Sequence, residues 1–430
     1  MNKIRQKILI ILLFPLMLQA QDITNITMLF DSLKLNPHIK SSDILLERAL
    51  LGKSMANSKL FPKLDVFGSY DYATTPSGML PVAPNDLFQM IKDPTIPQPF
   101  SQNILRAGAA ISMPVFVKSI YTMASKAKMM YQSAEVKKEI DLLKNEAIIV
   151  SSNANLQYMD ALQKALEKKK VSLEKVRELV TMKVDNGRAP ESALLKINTG
   201  INEVDLMRNE VALNKEKAIS TIYSLTNVTL DKPLKMEQTG DFAHDELRVL
   251  EPLKKKIDAT QLGVRAEKEK LYPALVLHGA YNHSYAKAYN NDLSVNEDYA
   301  TVGLTLRIPI FEKDQYTKIK QSKLDVMELE NELDQMRMDF SAQAQQLESS
   351  LKILETSIDL YKSSIKDKEQ LLEVAKVAYN TDRMTIEDYM KYEDDLLLEK
   401  SRLYKAQAQK WQTLMKLAVI YGNNIENMVK

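Results

Sequence analysis

The sequence is poor in the residues that punctuate or cross-link a chain. It has no cysteine, which excludes a lipid-modified N-terminal cysteine, disulfide bonds and thiolate metal sites together. Only 11 glycines and 15 prolines occur in 430 residues, as expected for a mostly helical protein. Neither sign of charge dominates, since there are 58 basic and 56 acidic residues. This balance gives no reason to expect a nucleic-acid partner.

Long hydrophobic runs are also missing. The run from Ile8 to Leu18 is too short for a transmembrane helix, which needs about 20 apolar residues, and no later run is longer. Three cations precede this run: Lys3, Arg5 and Lys7. The pattern predicts a signal peptide at 1–20, cleaved before Gln21. An uncleaved anchor is the alternative interpretation.

What the sequence does contain is a long helical pattern. The stretch 318–382 lacks proline and glycine, and its apolar residues recur every seven positions in two offset series. The series are Val326, Leu333, Phe340, Leu347, Leu354 and Tyr361, then Ala344, Leu351, Ile358, Ile365, Leu372 and Tyr379. Together they form one seam on an α-helix, which predicts packing along its whole length. At 1.5 Å per residue the helix would be roughly 100 Å long.

Elsewhere the period alternates, as it does in strands. The first half is predicted to contain a helix, a strand, a proline-rich loop, a second strand and a helical hairpin, at 22–59, 63–73, 74–105, 106–117 and 118–225. A short helix is expected within the loop at 85–92. The hairpin breaks at Gly187 and Pro190, because glycine accepts the left-handed conformation that ends a helix and proline suits a first turn.

After a linker at 227–245, the same order returns. The second half is predicted to contain a helix, two strands and a helical hairpin, at 246–270, 274–286, 298–310 and 311–421. Pro114 and Pro309 lie 195 positions apart, whereas Pro62 and Pro273, before the loop, lie 211 apart. The proline-rich loop therefore holds the 16 additional residues of the first copy. The chain is predicted to consist of two structural repeats, 21–226 and 246–430, that build one elongated unit.

Each predicted strand has one apolar and one polar face. Strands of about 9–11 residues with aromatic ends can cross an outer membrane, although a small soluble sheet covered by helices is an equally good interpretation of the strands alone. The signal peptide and the very long helices favour the membrane. Four strands cannot close a barrel, and open edges in lipid leave backbone groups unpaired. The chain would therefore oligomerise, giving eight strands from two copies or twelve from three.

Six short segments lie early in the first predicted helix, before the first strand, at the two strand-to-helix junctions and at the two hairpin turns. They are, in that order, Leu35-Asn36-Pro37, Leu60-Phe61-Pro62, Met113-Pro114-Val115-Phe116, Ile308-Pro309-Ile310-Phe311, Val184-Asp185-Asn186-Gly187 and Tyr379-Asn380-Thr381-Asp382. In their duplicated order they resemble the TolC-type outer-membrane efflux family over essentially the whole mature chain. The resemblance implies a mainly α fold with a small membrane β part, in which helix, two strands and long helical hairpin are duplicated. It implies a homotrimer with an α-helical barrel and a shared 12-stranded β-barrel, located in the cell outer membrane and extending into the periplasm.

The resemblance also implies a function. The protein would be the passive exit duct of a tripartite efflux or type I secretion system, working with a periplasmic adaptor protein and an inner-membrane pump, proton-driven or of the ABC type. An exported periplasmic coiled-coil scaffold without channel activity is the alternative. The duct requires lipid contact along one strand face: Leu64, Val66, Tyr70, Leu275, Leu277, Tyr281, Leu304 and Leu306.

In the family, the periplasmic hairpin turns form a gate. The candidate gate residues of this chain are Tyr379, Asp382, Arg383, Glu387, Asp388 and Asp185. The chain departs from the family at Ala193, Asp382 and Met384, where an acidic residue, a turn glycine and an arginine are expected. Adaptor docking is expected at Gly187, Arg188, Ala189 and Pro190. From the residues alone, solvated turn charges and a simple helix break are the alternatives.

Signs of enzyme chemistry are absent from the sequence. The four histidines are scattered, and His278 and His283 would face opposite sides of a regular strand because they differ by five positions. Neither a phosphate-binding loop nor a nucleophile elbow occurs. We therefore expect no enzyme activity, no cofactor and no metal site.

Overall fold

The computed structural model describes residues 25–240, 242–244 and 246–430. The predicted signal peptide at 1–20 and two positions of the predicted linker lie outside them. The chain is mainly α-helical with one small antiparallel sheet, which confirms that part of the predicted fold class. Its helices are α1 Ile26–Lys34, α2 Pro37–Ser58, α3 Pro84–Lys92, α4 Lys118–Asp185, α5 Glu191–Thr226, α6 Glu251–Glu269, α7 Lys313–Asn380, α8 Ile386–Tyr421 and α9 Ile425–Met428.

The first predicted helix, 22–59, is two helices in the structure, because the chain breaks at Asn36. The Asn36 side chain accepts a hydrogen bond from the His38 amide (2.8 Å) and donates one to the Ser224 carbonyl (3.0 Å). It thus caps α2, whose first residue is Pro37. The helix predicted at 246–270 also starts late, since a single 3₁₀ turn, Arg248–Leu250, precedes α6.

The two long helical hairpins have equal lengths. Helices α4 and α7 each have 68 residues, and helices α5 and α8 each have 36. Helices α5 and α8 both end at a left-handed residue, Asn227 (φ 55°) and Gly422 (φ 73°), which lie 195 positions apart. Along α7, all twelve positions of the predicted apolar seam are buried or half-buried.

The four strands form one antiparallel sheet in the order β1-β2-β3-β4. Their bounds are β1 Lys63–Gly78, β2 Phe100–Phe116, β3 Ala274–Lys287 and β4 Ser294–Arg307. Strands β1 and β4 are the outer strands, so each has one edge that pairs with no other strand among the described residues.

Three predicted strands had boundaries that were wrong by several residues. Strand β2 begins at Phe100 rather than 106, and β1 continues past a register irregularity to Gly78, because Ser77 and Gly78 pair with Ser101 and Phe100. Strand β4 lies earlier than 298–310. It ends at Arg307, before Pro309, whose missing amide hydrogen cannot extend the ladder. The short helix expected at 85–92 is present as α3.

The chain forms two compact units, each of which takes segments from both halves. Unit 1 contains the described parts of 1–40, 142–246 and 343–430, and unit 2 contains 41–141 and 247–342. Unit 1 has two apolar cores. One gathers α1 with parts of α4, α5 and α8 and the C-terminal residues, and the other gathers the ends of the hairpins around the fully buried Tyr389. Unit 2 contains the sheet, α3 and α6.

The last residues of the chain add to unit 1 in a way that the sequence did not predict. Residues 237–239 run beside the C-terminal residues through an antiparallel bridge between Gln238 and Val429. The Glu237 amide donates to the Lys430 carbonyl (2.8 Å), and the Lys430 amide donates back to Glu237 (3.1 Å). The linker is therefore ordered by pairing with the C-terminus at these positions.

Candidate functional site

The turn between α7 and α8 is built around a left-handed aspartate. Asp382 has φ 55°, and the next amide, that of Arg383, donates to the Ala378 carbonyl (2.8 Å). The turn between α4 and α5 repeats this geometry with Gly187 at φ 67° and a hydrogen bond from the Arg188 amide to Lys183 (2.7 Å). Aspartate tolerates the left-handed region better than most residues, which explains how it replaces the glycine.

Lysines of the first hairpin contact the turn of the second. The Lys183 ammonium pairs with the Asp382 carboxylate and lies 5.0 Å from the centre of the buried Tyr379 ring. On α5, Lys196 pairs with Glu387 near the start of α8. The hydrogen bond from Lys196 lowers the pKa of Glu387, and burial raises the pKa of Tyr379. These contacts join the two hairpins close to their turns.

A buried polar cluster joins the same two hairpins one to two helical turns further from the α7–α8 turn. Tyr389 of α8 is 1% exposed, and its hydroxyl donates to the Glu393 carboxylate (2.7 Å). The hydroxyl of Ser172, on α4, donates to the same carboxylate oxygen (2.6 Å). Burial raises the pKa of Tyr389 strongly, so the phenol stays protonated as a donor. The Tyr379 and Tyr389 ring centres lie 5.5 Å apart with their planes tilted by 31°, which connects this cluster to the turn.

The sheet of unit 2 has two chemically different faces. Cross-strand partners share a face, so the pairing assigns each paired strand residue to one of the two faces. The apolar face carries Leu64, Val66, Tyr70, Tyr72, Leu105, Ala109, Ile111, Leu275, Leu277, Tyr281, Tyr285, Val302, Leu304 and Leu306. Much of this face is open, as Val66 is 82% and Val302 83% exposed. The polar face carries Lys63, Asp65, Ser69, Asp71, Arg106, Ser112, Asn282, Ser284, Glu297 and Thr301.

Tyrosines on the apolar face contact polar side chains that lie further toward the turns of the sheet. The Tyr70 hydroxyl donates to the Asn103 amide oxygen (2.6 Å), and the Tyr281 hydroxyl donates to the Asp298 carboxylate (2.7 Å). Aromatic rings with an anchored polar tip are typical of an interface between an apolar and an aqueous phase. The face thus changes from aliphatic to aromatic and polar along the strands.

Metal ligands do not cluster in the part of the chain that the structure describes: it contains no group of three or more His, Cys, Asp or Glu side chains that could hold an ion. On the sheet, His283 contacts Asp298 (2.8 Å), whereas His278 approaches Thr305 (3.4 Å) on the other face. Among the described helices, none is both long enough and apolar enough to cross a membrane.

Comparison with known proteins gives a match by structure. No family model matches the sequence, and no curated protein matches it. The Campylobacter jejuni CmeC outer membrane channel superposes with a TM-score of 0.76 at 17% identity, over 92% of this chain and 85% of that one. The Vibrio cholerae outer membrane protein VceC gives 0.76 at 15% identity, over 92% and 96%. The Neisseria gonorrhoeae MtrE outer membrane channel, in its open state, gives 0.72 at 13%, over 93% and 89%.

The chain has the fold of these outer-membrane channels. At such low identities the similarity establishes the fold, and the resemblance to the TolC-type family is confirmed at that level. Three of the predicted gate residues lie on the second hairpin and contact lysines of the first hairpin: Tyr379, Asp382 and Glu387. Arg383 and Asp185 are exposed at their turns, as are Gly187, Arg188 and Pro190, while Ala189 is half-buried.

Asp388 has a local structural role that the resemblance to the TolC-type family did not suggest. Its amide donates to the Thr385 hydroxyl (3.2 Å), and that hydroxyl donates to the Asp388 carboxylate (2.8 Å). This reciprocal pair closes the first turn of α8. Sequence reasoning missed Ser172, Tyr389 and Glu393 altogether. The only signal was a tyrosine and a glutamate four positions apart on α8, and a solvated helix face gives the same pattern.

Proposed function

We propose that this protein is a trimeric outer-membrane channel-tunnel, the passive exit duct of a tripartite efflux or type I secretion system. The exposed apolar face of a sheet with two open edges is the observation that supports this proposal most directly. Moving apolar side chains such as Val66 and Val302 out of water is favourable by roughly 25 cal/mol per Å² of buried apolar surface. Lipid is the environment that would cover such a face and leave the polar face to water.

The open edges require sister chains if the sheet lies in lipid. An unpaired backbone group in the hydrocarbon core costs several kcal/mol, so β1 and β4 must each find a partner strand. Because the four strands alternate in direction, β4 of one chain beside β1 of the next continues the antiparallel order. The same contact repeated around an axis closes the barrel with identical interfaces.

Three copies are the number that gives a duct. Two copies would supply eight strands, and the interior of an eight-stranded barrel is filled by side chains. Three copies supply twelve strands and leave room for a conduit lined by the polar face. In this homotrimer the predicted lipid-facing residues meet the outer-membrane hydrocarbon: Leu64, Val66, Tyr70, Leu275, Leu277, Tyr281, Leu304 and Leu306.

The long hairpins would extend into the periplasm, where their turns form the gate. Ion pairs of Lys183 with Asp382 and of Lys196 with Glu387 hold the second hairpin against the first, which favours a closed resting state. An adaptor that docks at the exposed first turn, around Gly187, Arg188, Ala189 and Pro190, would compete with these contacts. The inner-membrane pump, proton-driven or of the ABC type, supplies the energy, and the duct itself catalyses no reaction.

The assembly and its lipid contact can be tested together. We expect the mature chain to require detergent for extraction, to run as a trimer and to give discrete conductance steps in planar bilayers. Val66→Lys should prevent membrane assembly, because a lysine on the lipid face costs about 2–4 kcal/mol near the bilayer midplane. Asp65→Lys is the matched control, since Asp65 is the neighbouring residue on the polar face.

Three results would contradict the proposal. A protein released by salt washing as a monomer without conductance would be the exported periplasmic coiled-coil scaffold instead. If Val66→Lys and Asp65→Lys assembled in the membrane equally well, the apolar face would not be in contact with lipid. A dimer that conducts would contradict the number of copies, although not the channel.

A further inference from the structure

The connection between β1 and β2 is much longer than the one between β3 and β4. The first comprises residues 79–99 and contains α3, whereas the second comprises residues 288–293. We call residues 79–99 the arm. Only the first copy of the repeat has an arm, so an assembly of three chains carries three arms rather than six.

The base of the arm folds over the polar face of the sheet. Ile104, Ala286 and Val295 form one cross-strand row on that face, and all three are buried in a small apolar cluster with Met79. Leu80 packs against the same cluster. In addition, the Arg106 guanidinium on the polar face pairs with Asp71 and donates to the Gly78 carbonyl (3.1 Å). Both contacts hold the start of the arm on the side opposite the apolar face.

The far part of the arm is fixed to the β3–β4 turn. The Asn290 amide donates to the Ile96 carbonyl (2.9 Å), and its oxygen accepts from the Gln98 amide (3.0 Å). Asn291 donates to the Thr95 carbonyl (3.2 Å). The Tyr289 amide donates to the Phe100 carbonyl (2.9 Å), where β2 begins. Together with the contacts at the base, these bonds fix both ends of the arm.

Helix α3, between these two anchors, presents large apolar side chains to its surroundings. Phe88 is 64% and Ile91 59% exposed, and they lie one helical turn apart. Asp86, on the opposite side of the helix, is also exposed. No residue of α3 is buried within the described chain. Phe88 and Ile91 together form an uncovered apolar patch on a helix fixed at both ends, and such patches mark interaction surfaces.

We infer that the partner of α3 is the same helix in the sister chains, and that three α3 helices meet through Phe88 and Ile91 to narrow the outer mouth of the duct. This inference depends on the proposed function, because a closed barrel turns the polar face, and with it the arm, toward the axis. Threefold symmetry brings identical side chains together at an axis, where apolar residues associate without the repulsion that like charges would meet. The apolar side chains of α3 suit that place.

Cysteine cross-linking tests this arrangement cleanly, because the natural chain has no cysteine. Single variants Phe88→Cys and Ile91→Cys are made in the full chain, purified as the detergent-solubilised oligomer and treated with an oxidant or a short bismaleimide. We expect both to yield covalently linked dimers on denaturing gels. Asp86→Cys, on the opposite side of α3, is the matched control and should yield at least several-fold less.

A second measurement on the same variants distinguishes the other possible surroundings of α3, which are lipid, solvent and an external partner. A fluorophore at position 88 that is quenched by lipid-soluble quenchers, without cross-linking, would place α3 in the bilayer and overturn the inference. A freely water-accessible label without cross-linking would also overturn it, leaving α3 in solvent or available to an external partner. A monomer in detergent would contradict the proposed function, and the inference with it. A stable trimer without cross-links contradicts the inference alone.

Discussion

The two helical hairpins have matching backbone geometry and differ in the side chains that they carry. Their helices have equal lengths, and their turns use hydrogen bonds between matching atoms 195 positions apart. The first turn has the exposed Gly187. The second turn has Asp382, which is paired with Lys183, and lies next to the buried Tyr379. Where the second hairpin has Tyr389 and Glu393, the first has Leu194 and Asn198.

This difference indicates that the two copies of one motif have different roles. The backbone geometry of a long hairpin with a left-handed turn tolerates a change of most side chains, provided that the seam stays apolar. The first copy keeps a small, exposed turn at Gly187. The second copy has acquired the residues that hold it to the first. Each prediction below compares a residue with its counterpart in the other copy or beside it.

The largest effect is expected at the buried tyrosine. Tyr389→Ala removes a fully buried ring and leaves Glu393 without its phenol donor, so the hairpins should lose about 3–5 kcal/mol of local stability. Hydrogen exchange of the α4 and α8 amides measures this loss as the free energy of local opening. Tyr389→Phe keeps the ring and should cost only about 1 kcal/mol, through the lost hydrogen bond.

The counterpart Leu194 is the control for this comparison. It is half-buried and has no polar partner of this kind, so Leu194→Ala should open the hairpins less than Tyr389→Ala does. If the two variants behaved alike, the polar cluster would contribute no more than ordinary packing, and the difference between the hairpins would lie in the turns alone.

A second large effect concerns pH. Glu146 on α4 is 3% exposed, and its pKa is raised to about 7, first by burial and then by the Glu426 carboxylate, while Lys34 acts in the opposite direction. A carboxyl whose pKa is higher in the folded state adds stability below its unfolded value, and that contribution is lost as the pH rises through about 7. Between about pH 5 and pH 8, unit 1 should lose at most about 2.5 kcal/mol.

Glu146→Gln should remove this pH dependence, as measured by chemical unfolding at the two pH values. Position 341 is the counterpart in the second copy, and Ser341 is exposed. Ser341→Glu therefore places a solvated carboxylate there and should leave the pH profile of unit 1 unchanged. A wild-type profile that is flat across this range would mean that Glu146 stays ionised in the fold.

A smaller effect is expected from exchanging the turn residues. At Gly187 a Cβ would meet no atom within 4 Å, so Gly187→Ala should cost only the backbone strain of a left-handed alanine, about 1 kcal/mol. Asp382→Gly relieves such strain but loses the exposed ion pair with Lys183, worth at most about 1 kcal/mol. The second change should therefore be nearly neutral. Hydrogen exchange at the two turns reports both, and a larger loss for Asp382→Gly would show that the Lys183 pair dominates.

Local pattern was sufficient to predict the long helices and the faces of the sheet. Helix α4 runs from Lys118 to Asp185, as its uninterrupted period and the break at Gly187 indicated. The start of β2 could not be predicted, because the residues after Phe100 are polar and do not alternate with apolar ones. Its pairing is fixed by Ser77 and Gly78 of β1 and by the Tyr289 amide, which lie beyond the loop or in the other half of the sequence.

The candidate site was predictable only in part, for a related reason. Tyr379 and Asp382 stand at a helix break, which a single sequence can reveal. Ser172 and Glu393 look like the solvated residues of any long helix, and only the packing of α4 beside α8 brings their oxygens together (2.6 Å). The arm was recognised as an insertion of 16 residues, yet its place on the polar face depends on side-chain contacts that no periodicity records.

Substitutions of two neighbouring acidic residues of α8 should change the stability least, and they test gating most directly. Glu387 pairs with Lys196 of the other hairpin, whereas Asp388 bonds to Thr385 within its own first turn. In planar bilayers, Glu387→Gln should raise the open probability or conductance of the closed channel, because it removes a contact between hairpins. Asp388→Asn should change conductance less, because asparagine still accepts a hydrogen bond at that position. The charge reversal Lys196→Glu combined with Glu387→Lys should restore the closed state, since the pair is re-formed with opposite signs. If Asp388→Asn opened the channel and Glu387→Gln did not, the gate would depend on Asp388 and not on the contact between the hairpins.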